Sequence, residues 1–152
     1  MYNKGEYIIL KSGGIYRIAD SNATEYSLVD CENNTIKSIN SNSDDIVRTI
    51  ITKDEMEEVI ERIGFIPTIK APNDKTRIEL MEDAMNHFDE ILWIKVIKTL
   101  YWRQKDKGLT PSEAKIFTRA KNYLHNEISI LMEIPMDQVE NYISTSLSND
   151  TW

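Results

Sequence analysis

The chain changes its periodicity once, near residue 52, and that change restricts it to an α+β fold with the strands first. Before it, apolar residues come in short runs rich in β-branched and aromatic side chains: Tyr7 to Leu10, Ile15 to Ala19, Tyr26 to Cys31, Thr35 to Ile39 and Ile46 to Ile51. Turn residues separate the runs at Ser12-Gly13-Gly14, Ser21 to Thr24, Glu32-Asn33-Asn34 and Asn40 to Asp45. Gly and Asn tolerate positive φ there, and Ser or Asp can bond its own backbone. Five short strands in fifty residues predict a small, strongly bent β-barrel.

From Thr52 onward the period is helical. Thr52-Lys53-Asp54-Glu55 has the capping-box spacing, and Met56, Val59, Ile60 and Ile63 follow as one apolar stripe, with Glu57, Glu58 and Glu61 left to water. Gly64 ends that helix, and Pro67 and Pro72 disfavour helix in the stretch behind it. The expected division is therefore a first domain over 1–64, a β-barrel with a trailing helix, and an all-helical domain over 65–152. In the second, Asn73 is a cap, and Ile78, Met81, Met85 and Phe88 repeat at helical spacing. A helix over Asp89 to Asp106 ends at Gly108, and Thr110-Pro111-Ser112-Glu113 opens the next. There Phe117, Ala120, Leu124, Ile128 and Leu131 form the inward stripe, with Lys115, Arg119, Asn122 and Asn126 opposite. Pro135 starts a short terminal helix to about Leu147, and Ser148 to Trp152 is expected as a loose tail.

Hydrophobic residues at 41% and charged residues at 28% exclude a largely disordered chain. The most apolar stretch, Ile91 to Ile97, is broken by Lys95 and is far shorter than the roughly 20 residues of a membrane span. The first residues, Met1 to Glu6, lack a basic end followed by an apolar core, so no secretory leader and a cytoplasmic location are expected. Cys31 is the single cysteine, and His87 and His125 have no cysteine near them at metal-ligand spacing. No metal, cofactor or disulfide is expected, and both histidines are expected on the surface.

Motifs for bond chemistry are missing from the sequence. There is no Gly-x-Ser-x-Gly elbow, and Ser12-Gly13-Gly14-Ile15 lacks the spacing and following helix of a phosphate cradle, which leaves it as a hairpin turn. The acidic run Asp54 to Glu61 is the solvated face of a capped helix. A non-catalytic binding protein is the expectation.

Charge carries more information. The net charge is −7, yet Trp93 to Lys121 holds eight basic residues against Asp106 and Glu113. On a helical wheel Leu92, Trp93, Ile94, Val96, Ile97, Leu100 and Tyr101 share one face of the helix over 89–106. Lys95, Lys98, Thr99 and Trp102 fall on the other, with Arg103 at the border. Either Trp102 packs on a neighbouring helix while the lysines reach outward, or it is the aromatic of a phosphate-binding face. The sequence leaves both open.

Leu100-Tyr101-Trp102-Arg103, Gly108-Leu109-Thr110, Glu113, Ala120-Lys121, Leu124 and Glu127 together resemble the CarD family of bacterial RNA polymerase-binding regulators. In the first half, Gly5-Glu6, Ile8-Ile9, Gly14-Ile15 and Ile18 resemble the N-terminal module that this family shares with transcription-repair coupling factor. The resemblance implies a Tudor-like barrel that binds the RNA polymerase β subunit and a helical domain that contacts promoter DNA, so that open complexes are stabilised. The residues expected to meet polymerase are Leu28, Ile36, Lys37, Ser38 and Ile39, where an exposed strand could extend a sheet of the partner, although the same run also reads as an ordinary barrel strand. Those expected to meet DNA are Lys75, Arg77, Lys95, Lys98, Trp102, Arg103, Lys115 and Arg119. A departure accompanies them: the family's minor-groove tryptophan falls on Asp74, and no tryptophan precedes Trp93. The alternative is thus a polymerase-binding adaptor or competitor without direct DNA engagement. A monomer with no membrane contact is expected in either case.

Overall fold

In a computed structural model, which describes residues 2–146, the chain forms five strands and then five α-helices, the α+β order anticipated from its periodicity. The expected tail over 148–152 lies outside the described residues. The chain divides into two compact units between Ile51 and Thr52. The helix that starts at Thr52 therefore belongs with the helices, and the Pro67–Pro72 linker lies inside the second unit.

The first unit contains β1 (Tyr7–Leu10), β2 (Ile15–Ser21), β3 (Glu25–Asp30), β4 (Ile36–Asn40) and β5 (Ile46–Thr49), all antiparallel in the order β4-β3-β2-β1-β5. Alternate positions of β1 to β3 turn inward, which gathers Ile8, Leu10, Tyr16, Ile18, Tyr26 and Leu28 into one buried cluster. Ile39 of β4 and Ile46 of β5 come from opposite ends of the sheet and pack on that same cluster, so the sheet curls around it. Register shifts at Ile9/Leu10 and Ile18/Asp20 supply local bends. The β1–β2 turn needs Gly14: its φ is +90°, and a Cβ there would lie 3.2 Å from the Tyr16 ring. Asp45 ties this turn to the β4–β5 loop by accepting from the Ser12 backbone N–H at 2.8 Å and the Ser12 hydroxyl at 2.5 Å.

The second unit contains α1 (Lys53–Glu61), α2 (Asp74–Met85), α3 (Glu90–Asp106), α4 (Pro111–Met132) and α5 (Val139–Ser146). Side chains cap four of them. Thr52 and Thr110 each form a reciprocal box with Glu55 and Glu113, Asn73 accepts from the Thr76 N–H, and Asp89 accepts from Ile91 and Leu92. The core is centred on α3 and α4, where Trp93 stacks on Tyr123 at 5.2 Å and Phe88 meets the same ring edge-on at 5.8 Å. Fully buried Ile94, Leu100, Leu124 and Ile128 contribute about 1.5–3 kcal/mol each by leaving water.

Helix α4 departs from the single stripe expected of it. Ala120, Leu124 and Ile128 are buried as anticipated, but so are Ile116 and Tyr123, while Phe117 and Leu131 are only partly covered. His125 and Asn126, expected on the surface, are also buried. The cause is that α4 touches α1, α2, α3 and α5, so helices cover it on several sides. Asn126 meets its burial by donating from Nδ2 to the Asn122 carbonyl at 2.9 Å. His87 is exposed, as expected. No helix among the described residues is long and apolar enough to cross a membrane.

Candidate functional site

Among the described residues strand β4 is an end of the sheet and pairs with β3 alone, in the register Val29↔Ile36, Leu28↔Lys37, Ser27↔Ser38 and Tyr26↔Ile39. The Asp30 N–H donates to the Thr35 carbonyl and the Ser41 N–H to the Thr24 carbonyl, which sets the phase of the ladder. With antiparallel alternation, Lys37 and Ile39 turn their backbone groups to β3, and Ile36, Ser38 and Asn40 turn theirs away from it. Ile36 is 74% exposed, Lys37 and Ser38 are exposed, and Ile39 is half-buried on the core. The Lys37 Nζ lies 4.9 Å from the centre of the Tyr16 ring. Leu28 corrects the expectation: it is fully buried inside the cluster, so it supports β4 from behind and cannot touch a partner.

In the helical unit, the start of α2, the end of α3 and the start of α4 meet around Arg103. Its Nε lies 2.5 Å from Glu113 Oε2, and Glu113 is 1% exposed. That contact is a short ion pair without the alignment of a hydrogen bond. The other Glu113 oxygen accepts from the Thr110 N–H at 3.0 Å. The far end of the Arg103 guanidinium reaches Asp74 Oδ1 at 3.2 Å, and Arg77 donates to that same oxygen at 2.6 Å. The bond from Arg77, and then the charge of Arg103, hold the Asp74 carboxyl below its ordinary pKa.

Beside this network lies an open cleft of about 550 Å³, walled by Thr68 and Ile69 of the linker, Arg77 of α2, Trp102, Arg103 and Asp106 of α3, and Lys107 just after it. Trp102 lines it and is 47% exposed, so one part of the indole is covered and the rest is open to solvent. Lys105 places its Nζ 4.5 Å from the Tyr101 ring and 5.3 Å from the Trp102 ring. An exposed indole with one ammonium group beside it can stack on a base or slide against a sugar–phosphate chain, although Asp106 adds a negative charge to the same wall.

Of the residues expected to meet DNA, Arg77, Trp102 and Arg103 converge on this cleft, and Lys75 is exposed next to Asp74. Lys95 is half-buried and lines a separate cleft with Lys70, Leu80 and His87, and Lys115 and Arg119 are exposed on α4. Lys98 has to be withdrawn from the set. It is 6% exposed, and its Nζ donates at 2.7 Å to the carbonyls of both Ile63 and Ile66. Desolvation lowers its pKa, and its charge is spent inside the protein. Sequence reasoning passed over Lys105 and Lys107, although both belong to the basic run, and read Asp74 only as a missing tryptophan.

Cys31 is half-buried, and burial followed by Asp30 pushes its thiol up to about 11, which leaves it protonated and a poor nucleophile at neutral pH. Among the described residues, no three His, Cys, Asp or Glu side chains are grouped to hold a metal ion.

Fold and site together define a chain of two units, one with an unpaired strand edge and the other with an arginine–tryptophan cleft. It belongs to the CarD family of transcription-related proteins: that family's C-terminal domain matches residues 51–144, beginning where the structure divides. No curated protein matches the chain.

Proposed function

We propose that this protein is a non-catalytic, monomeric, cytoplasmic regulator of transcription that binds the RNA polymerase β subunit through β4 and contacts promoter DNA with the helical unit, changing the lifetime of the open complex. The convergence of Arg77, Trp102 and Arg103 on one open cleft carries the DNA half of this reading. For the polymerase half, support comes from the outward backbone groups of Ile36 and Ser38, which can add to a partner's sheet edge. Exposed Lys75, Lys115 and Arg119 and half-buried Lys95 lie outside the cleft and can add phosphate contacts.

A second reading, an adaptor or competitor that binds polymerase without touching DNA, draws on Asp74. Its carboxylate already engages Arg77 and Arg103, and the chain as a whole carries −7. Promoter-complex lifetime separates the two. With the full chain present, Trp102→Ala and Lys75→Glu each shorten the lifetime of the polymerase–promoter complex if the cleft meets DNA. Lifetimes equal to wild type, with polymerase binding retained, establish the adaptor instead.

A further inference from the structure

Two arginines from different helices bond one oxygen of Asp74, and the three side chains differ in freedom. Arg77 and Arg103 are each 17% exposed, and Arg103 is anchored from behind by Glu113. Asp74 is 69% exposed at the first position of α2 and meets the arginines only at its outer end. Fixed guanidinium groups that converge on one exposed carboxylate oxygen are arranged as an anion site, and a phosphate oxygen offers the same acceptor chemistry with higher charge density. The same cleft is lined by Trp102 and Lys107, which offer a ligand an aromatic face and a further cation, and by one carboxylate, Asp106.

We propose that Arg77 and Arg103 form a binding site for a backbone phosphate of DNA, and that Asp74 fills this site in the free protein as a competing intramolecular anion. The proposal rests on the DNA-contacting reading above and adds which side chains receive the phosphate and what must leave first. Binding would exchange one anion for another between the same guanidinium groups, with the Asp74 side chain turning into solvent. Affinity is then held low by the cost of breaking two ion pairs, and the exposure of Asp74 keeps that cost small enough to overcome. A purely structural Asp74 predicts the reverse behaviour, because removing a staple loosens the cleft and weakens binding.

The test is duplex DNA binding by the full chain, followed by fluorescence anisotropy across a series of salt concentrations. Asp74→Asn and Asp74→Ala should bind about threefold to tenfold more tightly than wild type, with the slope of log affinity on log salt steeper by about one phosphate contact. Glu57→Gln, which removes the same charge from the exposed face of α1, controls for net charge and should change affinity by less than about twofold. Equal or weaker binding by both folded Asp74 variants overturns the proposal. If Trp102→Ala still weakens binding in that case, the DNA-contacting reading survives alone. If no variant binds DNA at any salt concentration, both fall.

Discussion

The Arg103 guanidinium lies 2.5 Å from the buried carboxylate of Glu113, so an ion pair joins the last turns of α3 to the first turn of α4 on the inside of the corner. Glu113 also closes the capping box with Thr110, which makes one side chain responsible for a helix start and for a tertiary contact. Arg103→Ala leaves a nearly inaccessible carboxylate without its counter-charge and should cost about 3–5 kcal/mol in urea denaturation. Replacing both partners with apolar side chains, Arg103→Met with Glu113→Leu, should recover most of that loss. A double variant as unstable as Arg103→Ala alone would show that the cap, not the ion pair, dominates.

Lys98 makes a comparable prediction from inside α3. Its ammonium group bonds two carbonyls of the short turn that follows α1, and Lys98→Met keeps the stem but leaves the buried Ile66 carbonyl without this donor, while the Ile63 carbonyl keeps the bond from the Ile66 N–H. The expected loss is about 2–3 kcal/mol of stability, with DNA affinity of the folded fraction unchanged. Lys75→Met should do the opposite, since that side chain is exposed. Paired urea and DNA titrations on the two variants check this, and a Lys98→Met protein that folds normally but binds DNA poorly would return Lys98 to the interface.

The distinction between Lys95 and Lys98 also marks what a sequence can disclose here. Strands and helix starts were legible because their signals are local: Gly13-Gly14 and Asn33-Asn34 for turns, Thr52, Asn73 and Thr110 for caps. A helical wheel places Lys98 correctly on the polar side of α3. It holds no information that two carbonyls 32 and 35 residues earlier would be brought there needing a donor. The Asp74–Arg103 pair spans 29 residues and was hidden for the same reason. His125 and Asn126 were misplaced because burial on α4 comes from neighbours packed around the helix, whereas amphipathic pattern records one dominant face.

Strand β4 gives a prediction that leaves the fold intact. The Ser38 N–H faces away from β3, so Ser38→Pro removes a donor that the β3–β4 ladder does not use, at an edge position where proline is tolerated. Stability should change by less than about 1 kcal/mol. Binding to the RNA polymerase β subunit should fall at least about tenfold if the partner adds a strand here, because one main-chain bond is lost and the ring obstructs its neighbour. Titration calorimetry with the full chain measures this. Undiminished affinity would move the polymerase contact off the β4 edge, and Ile36→Lys would then serve to test whether the exposed side chain matters instead.

The last prediction concerns acid stability and starts from His125, which is 7% exposed with an Nε2 that has no partner among the described residues. Burial pushes its pKa down to about 4, and Lys121 on the same helix acts in that direction; Glu140 of α5 opposes both. Asp137 is the other acidic group on the cleft beside it. The folded value lies below the ordinary 6.5, so on acidification the unfolded chain takes up the proton first. The stabilising effect of a neutral His125 is complete above about pH 6.5 and is lost progressively as pH falls toward 4. The full span amounts to about 3 kcal/mol. Glu140 feels the same imidazole, but its bond to Lys121 at 2.7 Å is the main cause that depresses its pKa, so its own contribution persists until the pH drops below the ordinary carboxylate range. Urea midpoints between pH 7 and pH 4.5 should therefore fall for wild type and stay nearly level for His125→Gln. Parallel curves for the two proteins would mean that the imidazole is solvated in solution and carries no such linkage.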